Sequence, residues 1–137
     1  MVAGMSSAPP KTPSAIYRLI WQAMRTRQNI AFEYNGRPRE GSPIILGYSD
    51  TGRETLKLYQ TGGRTSQGRL PDWRDFYIDQ IRMLTMKAGE WREGTSHKHP
   101  QAFVKFVDVD INIEETLTRD EPLAFGSPEL RKPRGKT

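Results

Sequence analysis

In RLPDWRDFYIDQI, residues 69–81, an arginine stands two positions before a phenylalanine and four before an isoleucine. Strand side chains alternate faces with period two, so Arg74, Phe76 and Ile78 point the same way. Phe76 and Ile78 seek a core. An arginine on their face needs a carboxylate or an anion from outside. Asp72 and Asp75 stand close by in the chain, so a rim ion pair is the alternative to a ligand. Trp73 and Tyr77 take the opposite face together with Asp75 and Asp79. That face is at least partly wet, and exposed aromatics on it suit an interface.

Other residues capable of chemistry are few. His97 and His99 are the two histidines, separated by one lysine, with no carboxylate at helical ligand spacing. A structural zinc needs four good ligands, so the pair reads as a solvated loop and no metal is expected. The segment TGGRTSQG lacks the Gly-Lys-Ser/Thr ending of a phosphate-binding loop, and no helix is expected after it. It reads as a long hairpin loop, from which Arg64 and Arg69 can reach an anion. Asp108 and Asp110 share a strand face without a histidine or a convergent partner. No nucleophile stands with a base, so neither an enzyme nor a cofactor is expected.

The chain has 137 residues, a formal charge of +5 and no cysteine. That length suits one domain. Lack of cysteine excludes disulfides and thiolate chemistry and fits a reducing cytoplasm. No apolar run is long enough to cross a bilayer, and the N-terminus lacks the apolar stretch of a secretory signal, so no membrane is expected. The charge is divided along the chain. Residues 15–87 hold 12 basic and 7 acidic side chains, residues 88–126 hold 4 basic and 8 acidic, and residues 127–137 hold 4 basic and 1 acidic. A basic block suggests an anionic partner, and an acidic block beside it can compete for that surface.

These side chains need elements to position them. Residues 1–13 are rich in Ser, Pro, Ala and Gly and predict a disordered start. Ser14 precedes an apolar-periodic run, which predicts a helix ending near Arg27 or Gln28, with Ile16, Leu19, Ile20, Ala23 and Met24 on its core face. Ile30, Phe32 and Tyr34 alternate as a strand, and Asn35-Gly36 supplies a tight hairpin turn. The return strand carries Gly41 and Pro43, which predict a bulge or sharp bend. After the turn Ser49–Gly52, the strand Glu54–Gln60 places Leu56 and Leu58 opposite Lys57 and Tyr59. Trp73–Ile78 is the next strand, and Ile81–Met86 continues as a strand or short turn. Residues 88–101 read as loop. In AFVKFVDVDINI, apolar Phe103, Val107, Val109, Ile111 and Ile113 alternate with Asp108, Asp110 and Asn112, predicting a strand wet on one face.

The order of these elements resembles the WYL domain family, small Sm-like (SH3-type) barrels common in bacterial transcription regulators. The likeness runs from Ile16 to about Leu84. It is carried by IYRLIWQAMRTRQNIAFEY, by RPREGSPIIL with a basic residue and a proline before the next strand, and by WRDFYIDQI. In the last, Arg74, Phe76, Ile78, Asp79 and Ile81 match the family's Arg-x-Phe-Arg-Leu-Asp-Arg-Ile or substitute conservatively. Tyr77 and Gln80 stand at its two later arginine positions, and of the Trp-Tyr-Leu that names the family only the last residue survives, at Leu58. The resemblance implies a fold that is mainly β with an N-terminal helix: a small Sm-like/SH3-type β-barrel over 14–87. An acidic C-terminal extension over 88–126, with a strand at about 102–113 and an arm, follows, and then a basic flexible tail over 127–137.

It also implies a regulatory module that binds a negatively charged ligand, a nucleotide or single-stranded nucleic acid. On that reading Arg74 sits at the rim, its stem along the core face and its guanidinium toward phosphate. Arg39, Arg37, Lys57 and Tyr59 extend the surface, and Trp73 and Tyr77 stack a base. The alternative is a protein-interaction module that has lost anion binding along with the two missing arginines. The acidic strand needs a pairing partner, since alone it would be an aggregation hazard. A homodimer in which residues 102–125 cross to a second subunit is one solution, and pairing within the chain is the other.

Overall fold

The computed structural model describes residues 12–63, 69–93 and 103–132. The expectations for residues 1–11, for Arg64, for His97 and His99, and for the tail beyond 132 lie outside these residues. The described residues form one antiparallel sheet and one α-helix, as expected for a mainly β fold with an N-terminal helix. Helix α1 spans Ala15–Arg25, and the strands are β1 Asn29–Tyr34, β2 Arg37–Tyr48, β3 Glu54–Gly63, β4 Asp72–Tyr77, β5 Arg82–Lys87 and β6 Phe106–Asp110. The hydrogen-bonded order is β4-β3-β2-β1-β5, with β6 also on β2, so among the described residues the sheet is open, without a ladder from β4 to β5.

Ser14 starts α1 by accepting the Tyr17 N–H on its hydroxyl, and its own N–H and hydroxyl bond the Glu54 carboxylate. The buried face is Tyr17, Ile20, Trp21, Ala23 and Met24, whereas Leu19 is 45% exposed. The face is therefore rotated from the one expected. Two large aromatics one turn apart, Tyr17 and Trp21, bury more area than Ile16 and Leu19 can offer. Tyr17 tolerates burial because its hydroxyl donates to Asp108, 2.7 Å away and 91 residues along the chain.

The Asn35-Gly36 turn takes positive φ at both residues, 54° and 75°, and pairs Tyr34 with Arg37. Strand β2 is long enough to serve two neighbours on one side. Residues 37–41 pair with β1, and residues 45–48 pair with β6. Register shifts against β3 fall at Glu40/Gly41 and Pro43/Ile45, the two places where glycine and proline predict a bend. A Cβ at Gly41 would lie 2.1 Å from the Tyr59 carbonyl oxygen, so the bend depends on glycine there. Strand β3 runs three residues further than expected, through Thr61, Gly62 and Gly63. Ile78 closes β4 as the first residue of a 3-10 turn, Ile78–Gln80, rather than as a strand residue.

The acidic extension shares the core. Val104, Val107, Val109 and Ile111 pack in the same cluster as Ile20, Leu56 and Phe76. Strand β6 pairs within its own chain, which removes the need for an exchanged arm. Its acidic face is not wet: Asp108 is fully buried, and Asp110 nearly so. A 3-10 turn at Glu114–Leu117 and the irregular arm that follows cover that face. The start of the basic tail is also held, since Arg131 and Val107 exchange two backbone hydrogen bonds at 2.7 and 2.9 Å. Among the described residues, no helix is long and apolar enough to cross a membrane.

Candidate anion-binding mouth

The register of the sheet sorts the expected binding residues onto two faces. Leu56 pairs with Phe76 and Leu58 with Arg74, so Arg74 lies on the core-facing side, just beyond Phe76. Arg39 pairs with Phe32 and points the same way. Its guanidinium lies 5.4 Å from the Phe76 ring centre and 5.7 Å from that of Tyr34. Arg37, two residues before it, is exposed at the hairpin end. The charges of Arg37 and Arg74 both act on Arg39, and we call this cluster of three arginines the mouth. Lys57, Tyr59, Trp73 and Tyr77 lie on the opposite face, so the structure does not unite all seven residues.

Within the mouth, Arg39 and Arg74 differ. Arg74 donates to Asp72 at 2.7 Å and to the Trp73 carbonyl at 3.1 Å. This is the rim ion pair that the sequence offers as the alternative to a ligand. Arg39 is 7% exposed and donates one bond, 3.3 Å long, to the Tyr34 carbonyl. Its Nε has no hydrogen-bond partner, and among the described residues no carboxylate pairs with it. Burial lowers its pKa, and the nearby charges of Arg37 and Arg74 push the same way. A buried cation without a counter-ion is costly unless something balances it. Two aromatic ring faces balance it in part.

On the outer face Lys57 and Arg53 are already paired with carboxylates. Lys57 bonds Asp75 at 2.7 Å, and the Tyr59 and Trp73 rings pack 5.0 Å apart. Tyr77 packs against Phe103, and Arg53 lies 3.5 Å from its ring centre while donating twice to Asp79. That pairing raises the Arg53 pKa and lowers that of Asp79. The sequence reasoning overlooked Arg53, whose turn position between Ser49 and the strand gave no face. It also overlooked Gln60, which pairs with Asp72 on the mouth side and is buried there.

A second polar group is buried at the far side of the sheet. Asp108 Oδ2 accepts from the Tyr17 hydroxyl at 2.7 Å and from the Leu123 N–H at 3.0 Å, and Oδ1 accepts from Arg119 at 3.4 Å. Tyr17 stacks on Tyr48, whose hydroxyl donates to the Leu123 carbonyl at 2.6 Å. Burial raises the Asp108 pKa to about 6, the donors opposing it, and burial likewise raises both tyrosines. All its partners are structural, and it ties the arm to α1. No family model, curated protein or solved structure matches the chain.

Proposed function

We propose that the chain is a regulatory binding module for a negatively charged ligand, a nucleotide or single-stranded nucleic acid, held at the mouth formed by Arg37, Arg39 and Arg74. The observation that carries this reading is Arg39. It is a nearly buried guanidinium with an unpartnered Nε and, among the described residues, no carboxylate, flanked by two further arginines. Phosphate supplies the missing charge and accepts bonds from a planar fork. The WYL resemblance implies the same kind of ligand and a role in bacterial transcriptional or defence regulation.

A protein-interaction module without anion binding is the second reading. The pairing of Arg74 with Asp72 and of Lys57 with Asp75 favours it, since both cations already have partners. Fluorescence anisotropy with labelled single strands, duplex and nucleotides, at low and high salt, separates the two. Phosphate binding releases counter-ions, so the first reading expects affinity that falls as salt rises. Absence of binding to every anionic probe at low salt leaves the second.

A further inference from the structure

Arg74 already holds an anion of its own chain. Its Nη1 donates to the Asp72 carboxylate at 2.7 Å and to the Trp73 carbonyl at 3.1 Å. The two side chains stand two residues apart on β4, so they share the mouth side of the sheet, Asp72 paired with buried Gln60 and Arg74 with Leu58. Exposure separates them. The Arg74 side chain is 17% exposed and that of Asp72 is 47% exposed. The guanidinium is held in the wall, while the carboxylate stands at the water's edge. Asp72 Oδ1 accepts the Trp73 N–H at 2.8 Å, and Oδ2 rests on Arg74.

A carboxylate and a phosphate edge make the same kind of contact with a guanidinium. A phosphate that reaches Arg74 therefore has to displace Asp72 or share the fork with it. Displacement costs little, since a half-exposed carboxylate regains water on leaving and an exposed pair is worth little. The bond from Arg74 to the Trp73 carbonyl does not depend on Asp72, so the fork is anchored for either partner. The charge of Arg74 also acts on Arg39. With Asp72 in place part of that charge is cancelled, and with Asp72 turned away the whole of it faces the ligand.

We infer that Asp72 is a built-in competitor for the mouth: it occupies Arg74 in the free protein and yields it to phosphate, so it lowers the affinity without touching the ligand. This rests on the anion-binding reading of the mouth and adds a regulatory contact to it. The Asp72–Arg74 pair, which otherwise favours a module without anion binding, then gains a direction. Removing the carboxylate improves binding.

The test is a double-mutant cycle on the full chain, read by anisotropy of a labelled single strand at low salt, with a thermal melt of each variant. Asp72→Asn keeps an oxygen for the Trp73 N–H and removes the charge. It should bind about three- to fivefold tighter than the parent. In an Arg74→Ala background the same substitution should change affinity by less than about 1.5-fold, because the carboxylate then competes for nothing. Weaker binding by a folded Asp72→Asn protein would make Asp72 a positioning residue for Arg74 and overturn the inference. Equal tightening in both backgrounds overturns it too, since that is the long-range effect of removing one negative charge. Binding by the parent that Asp72→Asn leaves unchanged overturns the inference alone. If neither the parent nor Asp72→Asn binds, the anion-binding reading itself falls and the inference falls with it.

Discussion

Replacing Asp108 with asparagine tests how the acidic arm is held. Asp108 is fully buried, and burial raises its pKa to about 6 from the ordinary 3.8. A group whose folded pKa is raised binds its proton more tightly in the folded state than in the unfolded chain. Its stabilising contribution is complete below pH 3.8 and is lost as pH rises through 6. The shift is about 2 units at about 1.4 kcal/mol each, so the full swing is about 3 kcal/mol, and about 1–2 kcal/mol of it falls between pH 5 and 7.5. The geometry permits the proton: Oδ2 keeps its two donors while Oδ1 gives up a weak 3.4 Å contact. Asparagine preserves the Oδ2 role without the charge. Urea unfolding at pH 5 and 7.5 should show the parent more stable at pH 5, and Asp108→Asn should remove about 1–2 kcal/mol of that difference. Asp108→Ala should cost about 2–4 kcal/mol at both pH values, because two buried donors lose their acceptor. Equal pH slopes for parent and Asp108→Asn would refute the argument.

Three further outcomes follow from the packing. Tyr17→Phe removes the 2.7 Å bond to Asp108 and should cost about 1–3 kcal/mol in chemical denaturation, since Asp108 then lacks a buried donor. Gly47→Ala places a Cβ 2.0 Å from the Phe106 carbonyl oxygen, and Tm should fall by about 5–10 °C as β6 is forced off β2. Arg74→Ala should weaken single-strand binding severalfold while costing about 1 kcal/mol of stability, read as anisotropy beside a thermal melt.

Local signals in the chain located the elements well. Asn35-Gly36 fixed a hairpin through its two positive-φ residues, and Gly41 with Pro43 marked where β2 bends. Alternation placed Leu56 and Leu58 opposite Lys57 and Tyr59 correctly. Long-range partners were not legible. Nothing near Tyr17 reveals that Asp108 will receive its hydroxyl, so the helix face came out rotated. Nothing near Asp108 reveals that α1 and the arm will cover it, so a buried face read as a wet one. The candidate site behaved likewise. Period two put Arg74 on the core side, but the division of the seven residues between two faces depends on strand pairing, and pairing is set by contacts far apart in the chain. Arg39 drew notice by its residue type, and its burial between Tyr34 and Phe76 emerged from the hairpin register.

The central claim is that Arg39 is held for an anion rather than for the fold. Arg39→Met keeps an unbranched side chain on the same rings and removes the unbalanced charge. Anisotropy of a labelled single strand at low salt, on parent and variant alike, is the direct measurement. The account predicts salt-dependent binding by the parent, loss of about tenfold or more in affinity for Arg39→Met, and a variant at least as stable as the parent. Unchanged binding by a folded Arg39→Met protein would contradict it.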